Sequence, residues 1–274
     1  MLADSDVSLS IINRVSPALT LLHEYQNHST AAAIQSPFVQ LLLSGAKREA
    51  AERRSPVKKA QVLTQAQIHT LVDLLWKKGV GVIDESLKLS TWRAIVRIYT
   101  MYKTLCRNDC YGELLCSDII IDEDHVQLTF ARAKNDQFYE GSISILAVTP
   151  NQPAYCPKLI YSKYFEVMSF RGSGIEYLNC RLRYSKTNGL VPIANLSLAY
   201  TSSLAESREL CLSQGFEGRF SEKSYKVAGV TVGFDAGLSS EQMMTHGRWK
   251  SSATPNVYYA QNKKKKMEIS LKIV

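Results

Sequence analysis

The feature that most constrains the fold is a short block of strand-like sequence with helical patterns on both sides. From Ile119 onward three runs follow one another, IIID, HVQLTFARAK and GSISILAV. Turn-forming pairs, Glu123-Asp124 and Asn135-Asp136, interrupt these runs. We therefore predict a mainly α-helical protein with a small antiparallel β-sheet, which is the α+β class.

The sequence before this block predicts helices. Apolar residues recur at three- and four-residue steps from Leu9 to about Ala50, with an interruption, and Pro37 starts a second helical segment there. Thr64 is the predicted N-cap of the helix QAQIHTLVDLLWKK. Another amphipathic helix is predicted to follow Ser90.

The sequence after the block predicts helices again. Helical patterns cover Ser197 to Gln214 and Ser224 to Met244. Residues 150 to 190 combine prolines, glycines and strand-like pieces and predict no definite element. The chain ends with a charge run, Lys263 to Lys266, and with EISLKIV, which alternates like a short strand.

The charge of the chain makes a polyanion a plausible partner. The 274 residues carry 33 Lys and Arg against 25 Asp and Glu, a formal net charge of +8, although a merely basic soluble protein has the same balance. The densest basic stretch, KREAAERRSPVKK, is predicted to be a linker that contacts phosphates without reading bases. The cations expected to make these contacts are Arg48, Arg53, Arg54, Lys58 and Lys59.

Cysteine and histidine usage predicts no metal site. The six cysteines include no CxxC pair, and the five histidines form no HExxH or Cys/His grouping. The N-terminus does not read as a secretory signal, and no apolar stretch is long enough to span a membrane. We therefore expect reduced thiols in a nuclear or cytoplasmic protein.

The C-terminal third contains the string SYKVAGVT, followed by DAGL and HGRWKS. Trp249 lies 23 residues after Lys226, and Tyr258 lies nine residues after Trp249. These strings and intervals resemble the second conserved box of the tyrosine recombinases, the phage-integrase and Cre-like family. They are most similar to recombinases of the eukaryotic DIRS and Crypton mobile elements.

A first box is similar as well. Arg107 ends a predicted helix, and Asp118 follows eleven residues later, which resembles the family's interval from its first arginine to an aspartate before the first strand. ARAKNDQ holds Lys134 at a strand end before a turn, where the family carries a catalytic lysine on a β-hairpin. The resemblance covers residues 62 to 260, with both boxes in the family's order.

The resemblance implies an activity and a role for each residue. Tyr258 would attack a DNA phosphodiester and form a 3'-phosphotyrosyl intermediate, while the Arg107 guanidinium clamps the phosphate oxygens. Lys223 would take the tyrosine proton, Lys134 would protonate the leaving oxygen, and Trp249 would pack against the phosphate. No metal or nucleotide cofactor is implied, because the phosphotyrosyl bond retains the energy of the phosphodiester.

The chain also departs from the family pattern. Lys226 stands where the family has its second arginine, and a lysine cannot make the two-pronged guanidinium contact. Arg248, next to Trp249, is expected to touch DNA and could bring its own guanidinium to the phosphate instead. Cys110 replaces an acidic residue three positions after Arg107. The N-terminal region is shorter than a family core-binding domain, which suggests a truncated chain or an incomplete clamp.

The same residues are consistent with ordinary structural roles. Arg107 could be a salt-bridged surface arginine, and Lys134 an ordinary lysine in a polar turn. Lys223 and Lys226 could form a solvated basic helix face, and Trp249 could be a core residue. Tyr258 and Tyr259 are adjacent, and the spacing favours Tyr258 as the nucleophile. His246 is more typical of a helix-end side chain than of a catalytic group.

We expect four regions along the chain. A partial helical core-binding domain of the SAM-like type (1–50) and a basic linker (51–61) precede the recombinase catalytic domain (62–262) and a basic tail (263–274). The sequence favours an enzyme that cleaves and rejoins double-stranded DNA in recombination or integration, as a homo-oligomer, a tetramer on paired sites. The alternative is a degenerate DNA-binding protein that no longer cleaves.

Overall fold

The computed structural model describes residues 36–52, 60–131, 141–169, 174–187 and 189–259. The chain divides into two compact units, Met1–Lys59 and Ala60–Val274. In the first unit, helix α1 runs over Pro37–Glu52, and the amide of Val39 donates to the Ser36 hydroxyl at its start. The predicted start at Pro37 is confirmed, and the basic stretch that begins at Lys47 is helical as far as Glu52.

The second unit opens with an antiparallel helix pair. Helix α2 runs over Gln65–Gly81 and begins at the predicted N-cap, because the Thr64 hydroxyl accepts the Gln67 amide while the Gln67 side chain accepts the Thr64 amide. Helix α3 runs over Glu85–Thr104, so it already includes Ser90, after which it was predicted to begin. The indole of Trp92 fixes the pair by donating to the Gly79 carbonyl at 3.3 Å.

A three-stranded antiparallel sheet follows, as predicted. Short helix α4 (Asn108–Gly112) and a 3-10 turn lead into β1 (Ile119–Ile121), β2 (His125–Phe130) and β3 (Ser142–Ala147), which pair in that order. The register places Phe130 opposite Ser142, so these residues form the last pair before the connecting loop. Alternate residues of β2 face the core, which is why the run alternates in hydropathy.

The stretch for which no element was predicted contains helix α5 (Pro157–Ser169) and two paired strands, β4 (Cys180–Ser185) and β5 (Gly189–Ser197). The helix predicted to begin at Ser197 begins later, since Ser197 still pairs with Cys180 in the β4–β5 sheet. Helix α6 covers Tyr200–Ser213.

The long helix predicted from Ser224 to Met244 is two helices. Helix α7 covers Lys223–Asp235 and helix α8 covers Ser240–His246. Gly237 adopts φ 89°, a left-handed conformation that ends α7, and a Ser239 capping box then starts α8. The last described element is α9, Ala253–Tyr259.

Helix α3 lies at the centre of the second unit. It contacts α2, α5 and α7, and its residues Ile95, Val96 and Ile98 are fully buried in the main core. The predicted fold, mainly helical with a small antiparallel sheet, is confirmed. Among the described helices, none is both long and apolar enough to cross a bilayer.

Candidate active site

Arg107 is positioned by a strained turn at the end of α3. After Thr104 the chain passes through Leu105, whose φ of 56° lies in the left-handed region that non-glycine residues rarely adopt. The Leu105 side chain is buried against Val230 and Met243, and this packing holds the turn in place. Arg107 then occupies the N-cap position of α4, with an extended backbone.

Helix α7 brings Lys226 close to this turn. Gly229, one turn after Lys226, faces α3 so closely that a Cβ atom there would overlap the carbonyl oxygen of Tyr102. The glycine therefore allows the two helix backbones to touch. Lys226 is buried, with only 3% of its surface exposed, although it is a lysine on a polar stretch of sequence.

The turn between α8 and α9 supplies the third side of the site. Arg248 has a φ of 55°, and its guanidinium carbon lies 4.2 Å from the ring centroid of Phe130 on β2. Its Nη1 donates to the hydroxyl of Ser144 on β3. The ring of Trp249 lies beside Lys226, with 4.8 Å between the ammonium nitrogen and the ring centroid.

These three elements enclose a small pocket with three cationic side chains. Arg107, Lys226 and Arg248 all line it, and no acidic residue does among the residues that the structure describes. The remaining lining residues are Leu105, Cys106, Cys110, Phe130, Ser142, Gly247 and Trp249. We call this cavity the cation pocket, and its charge suits an anionic ligand.

The described lining of the pocket holds three cations and no carboxylate, and burial affects the pKa of its titratable groups. Burial, together with the charge of Arg107, lowers the pKa of Lys226 to about 8. Burial also lowers the pKa of Arg248 from its ordinary value. Burial raises the pKa of the Cys106 thiol to about 11, so this thiol is neutral and supplies no balancing charge at neutral pH.

A second depression adjoins the cation pocket and shares Arg107 and Lys226 with it. Lys223, the first residue of α7, is exposed and lines this depression, as does Glu222. The structure thus brings together Arg107, Lys226, Arg248 and Trp249, and it places Lys223 next to them rather than in the cation pocket.

Tyr258 lies in the last turn of α9, and the structure describes its backbone but not its side chain. Helix α9 packs against α7 and α8, and the hydroxyl of Ser240 at the start of α8 donates to the Asn256 side chain at 2.8 Å. Lys134 falls outside the described residues. So do Arg53, Arg54, Lys58 and Lys59, whereas Arg48 is exposed on α1.

Other sequence candidates have structural roles. The Asp118 carboxylate accepts the amide of Leu115 and closes the turn before β1. A ring nitrogen of His246 hydrogen-bonds to the Lys103 carbonyl at the end of α3. Within the described part of the chain, no cluster of His, Cys, Asp and Glu could hold a metal ion.

Sequence reasoning missed the β-sheet side of the pocket. Phe130, Ser142 and Ser144 shape it, yet none carries a family motif. The only available signal was their position in the strands on either side of the predicted hairpin turn.

Comparison with known proteins identifies the fold but no close relative. No family profile and no curated protein matches the sequence. Among solved structures, the chain is similar to the XerH site-specific recombinase in a post-cleavage complex with its palindromic difH substrate. The TM-score is 0.56 at 11% identity, over 79% of this chain and 53% of that one.

Two further structures match over nearly the whole chain. The XerA recombinase has a TM-score of 0.52 at 12% identity, with 97% of this chain and 83% of that one covered. The Tn1549 transposon integrase in complex with transposon right-end DNA has a TM-score of 0.50 at 11% identity, with 98% and 85% covered. The chain thus shares the fold of these proteins and spans about half the length of XerH.

Proposed function

We propose that this protein cleaves and rejoins double-stranded DNA, with Tyr258 as the nucleophile. The observation that carries the proposal is the cation pocket. It gathers Arg107, Lys226 and Trp249, which the two sequence boxes assign to the scissile phosphate, and its described lining contains no acid. The fold shared with the XerH and XerA recombinases supports the same interpretation.

The proposed first step is a transesterification. The phenolic oxygen of Tyr258 attacks the phosphorus and forms a 3'-phosphotyrosyl bond, and the bond from phosphorus to the 5' oxygen breaks. Arg107 and Lys226 stabilise the charge that develops on the non-bridging oxygens. Lys223 accepts the phenolic proton, and Lys134 donates a proton to the leaving 5' oxygen. The reverse reaction with a new 5' hydroxyl rejoins the strand without a cofactor.

The wider role follows from the sequence motifs. SYKVAGVT and GRWKS favour recombination or integration in a eukaryotic mobile element of the DIRS or Crypton type. Such a protein works on nuclear DNA, and pairing of two sites would assemble a homo-tetramer. Arg48 on α1, with Arg53, Arg54, Lys58 and Lys59, would contact phosphates without reading bases.

A second candidate function is DNA binding without cleavage. One observation favours it: position 226 holds a lysine, which presents a point charge in place of a bidentate guanidinium. The positive charge of the pocket would then hold the phosphate backbone, and no strand would be cut.

A trapped covalent adduct separates the two functions. Duplexes that bind the Tyr258→Phe variant are selected from a randomised pool, then resynthesised with a nick that lets the leaving fragment diffuse away. The wild-type chain should form an adduct that survives denaturing electrophoresis, Tyr258→Phe should form none, and Tyr259→Phe should match the wild type. Binding without any adduct, by the wild type and by Lys226→Arg alike, would establish the binding-protein alternative.

A further inference from the structure

We propose that Arg248 supplies the second guanidinium of the phosphate clamp, the group that is missing at position 226. The inference rests on the proposed function and deepens it, because it assigns to Arg248 the contact that the family pattern places at position 226. It begins from three observations: the backbone of Arg248, the way its guanidinium is held, and a neighbouring hydroxyl.

The backbone observation is the left-handed conformation at Arg248. At φ 55° a glycine is unstrained, whereas a long side chain with a Cβ atom is strained. Gly247 directly precedes it, so a flexible residue is available in the same turn but does not occupy the strained position. An arginine held where the backbone favours glycine indicates that its side chain contributes something at this site.

The guanidinium is held by the β-sheet rather than by an acid. Phe130 covers one face of it, and the Ser144 hydroxyl accepts one of its five N–H donors. No carboxylate among the described residues forms an ion pair with it. A flat guanidinium with a fixed plane and remaining donors in a cationic pocket can bind two oxygens of one phosphate.

A second polar group points to the same ligand. The Ser142 hydroxyl also lines the cation pocket, and it has no hydrogen-bond partner in the part of the chain that the structure describes. Buried hydroxyls are ordinarily paired, so a phosphate oxygen here would satisfy it. Arg107, Arg248 and Ser142 would then donate to one phosphate from the α3–α4 turn, the α8–α9 turn and β3.

Lys226 does a different job in this arrangement. Its ammonium lies against the Trp249 ring and is buried between the two arginines. It adds positive charge to the phosphate site, but it cannot make a bidentate contact with two phosphate oxygens. The two guanidinium groups clamp the oxygens, and Lys226→Arg should therefore raise the cleavage rate by less than about threefold, well below the tenfold gain expected if Lys226 were the sole second clamp.

The test uses a substitution that removes the guanidinium and relieves the backbone. Arg248→Gly suits the left-handed turn, so the melting temperature should not fall, while adduct formation on the nicked duplex should fall about a hundredfold or more. Methylguanidinium at about 20 mM should restore part of the rate to Arg248→Gly, because it replaces the missing group. If Arg248 were purely structural, adduct formation would not fall while the melting temperature stays the same, and methylguanidinium would not restore the rate.

Two further variants keep the outcome clear. Arg248→Lys retains the charge and should recover only a small part of the rate, and it decides the matter if Arg248→Gly does not fold. Arg183→Gln is the matched control for loss of one cation, because Arg183 is an exposed strand arginine that does not line the pocket. Wild-type cleavage rates in both Arg248→Gly and Arg248→Lys would overturn the proposal.

An anion-binding measurement tests whether Arg248 binds phosphate, independently of whether the protein cleaves DNA. Inorganic phosphate at about 100 mM should stabilise the wild type by mass action, and Arg248→Gly should lose most of that gain while Arg183→Gln keeps it. If the wild type forms no adduct, the proposed cleavage fails, and the phosphate difference alone then decides whether Arg248 clamps an anion. Equal stabilisation of all three proteins would refute the clamp.

Discussion

Two clusters of buried arginines and lysines lie within the second unit, and they are built in opposite ways. In the first, Arg93 and Arg97 of α3 meet Glu206 of α6, and Arg97 Nη1 lies 2.7 Å from a Glu206 oxygen. Glu222, buried before α7, accepts the hydroxyls of Ser203 and Ser207. The second cluster is the cation pocket, whose described lining has no acid.

The pKa values of the buried cations shift in opposite directions in the two clusters. Burial alone lowers the pKa of Arg97, but the carboxylates of Glu222 and Glu206 together outweigh it and raise the pKa above its ordinary value. In the cation pocket burial lowers the pKa of Lys226 and of Arg248, and no carboxylate reverses it. The first cluster therefore contains its own counter-charges, whereas an anion bound in the cation pocket would supply the negative charge that its described lining lacks.

The largest expected effect comes from removing one arginine from each cluster and comparing the stability of the two variants. Arg97→Met leaves Glu222 and Glu206 with less compensating charge, and we expect it to lower the free energy of unfolding by about 3–5 kcal/mol. Arg107→Met removes repulsion from Lys226 and breaks no ion pair among the described residues, so stability should change by less than about 1 kcal/mol. Denaturant titrations of both variants measure the two values.

The same pair should show the reverse order in function. Arg107→Met should reduce adduct formation by about a hundredfold or more, since it removes a contact made to the transition state. Arg97→Met should cleave at near the wild-type rate at a temperature where it is still folded. A stability loss in Arg107→Met as large as that in Arg97→Met would contradict the contrast.

A pH titration sharpens the contrast at Lys226. The folded pKa of about 8 lies below the ordinary lysine value of 10.5, so the unfolded chain holds more protons between these two pH values. Stability should therefore rise as the pH increases through that window, by up to about 3 kcal/mol relative to Lys226→Met. Below pH 8 both states are protonated, and the difference between the two proteins should be flat.

Unfolding of the wild type and of Lys226→Met at pH 7 to 10 measures this difference, and the shared tyrosines cancel. Inorganic phosphate should flatten the rise, because a bound anion favours the charged lysine. A difference that stays constant across the whole range would show that the folded state does not lower the pKa of Lys226.

Much of this architecture could be predicted from local sequence. The Thr64 cap and the three strands follow from patterns that a short window contains. The grouping of Arg107, Lys226 and Trp249 was expected from the resemblance to the recombinase family. The Gly237 break was missed, because apolar residues continue at helical spacing on both sides of it.

Other features depend on contacts between distant segments. The carboxylate of Glu222 acts electrostatically on Arg97 from more than a hundred residues away in the sequence, and no local pattern indicates this interaction. The left-handed turns at Leu105 and Arg248 were equally hidden, since neither residue type favours that conformation. They arise because packing on Met243 and on Phe130 outweighs backbone preference.

The smallest expected effect concerns Gly247, which sets the position of the Trp249 ring. A Cβ atom on Gly247 would lie 2.5 Å from ring carbon Cζ3 and 2.7 Å from Cη2, so the ring has to move. We expect Gly247→Ala to lower the free energy of unfolding by about 1–2 kcal/mol, the usual range for overpacking. The displaced ring would leave the Lys226 ammonium, and cleavage should fall with it.

Gly81→Ala is the matched control. It also adds one methyl group to a glycine at a helix end, but no atom lies within 4 Å of the added carbon, and its φ is not left-handed. Its stability should equal or slightly exceed that of the wild type, because alanine favours the helix. Trp249 fluorescence can be isolated in a background where Trp76 and Trp92 are phenylalanine, and it should shift in Gly247→Ala alone. An unshifted spectrum with lost cleavage would mean that the position of the Trp249 ring does not control cleavage.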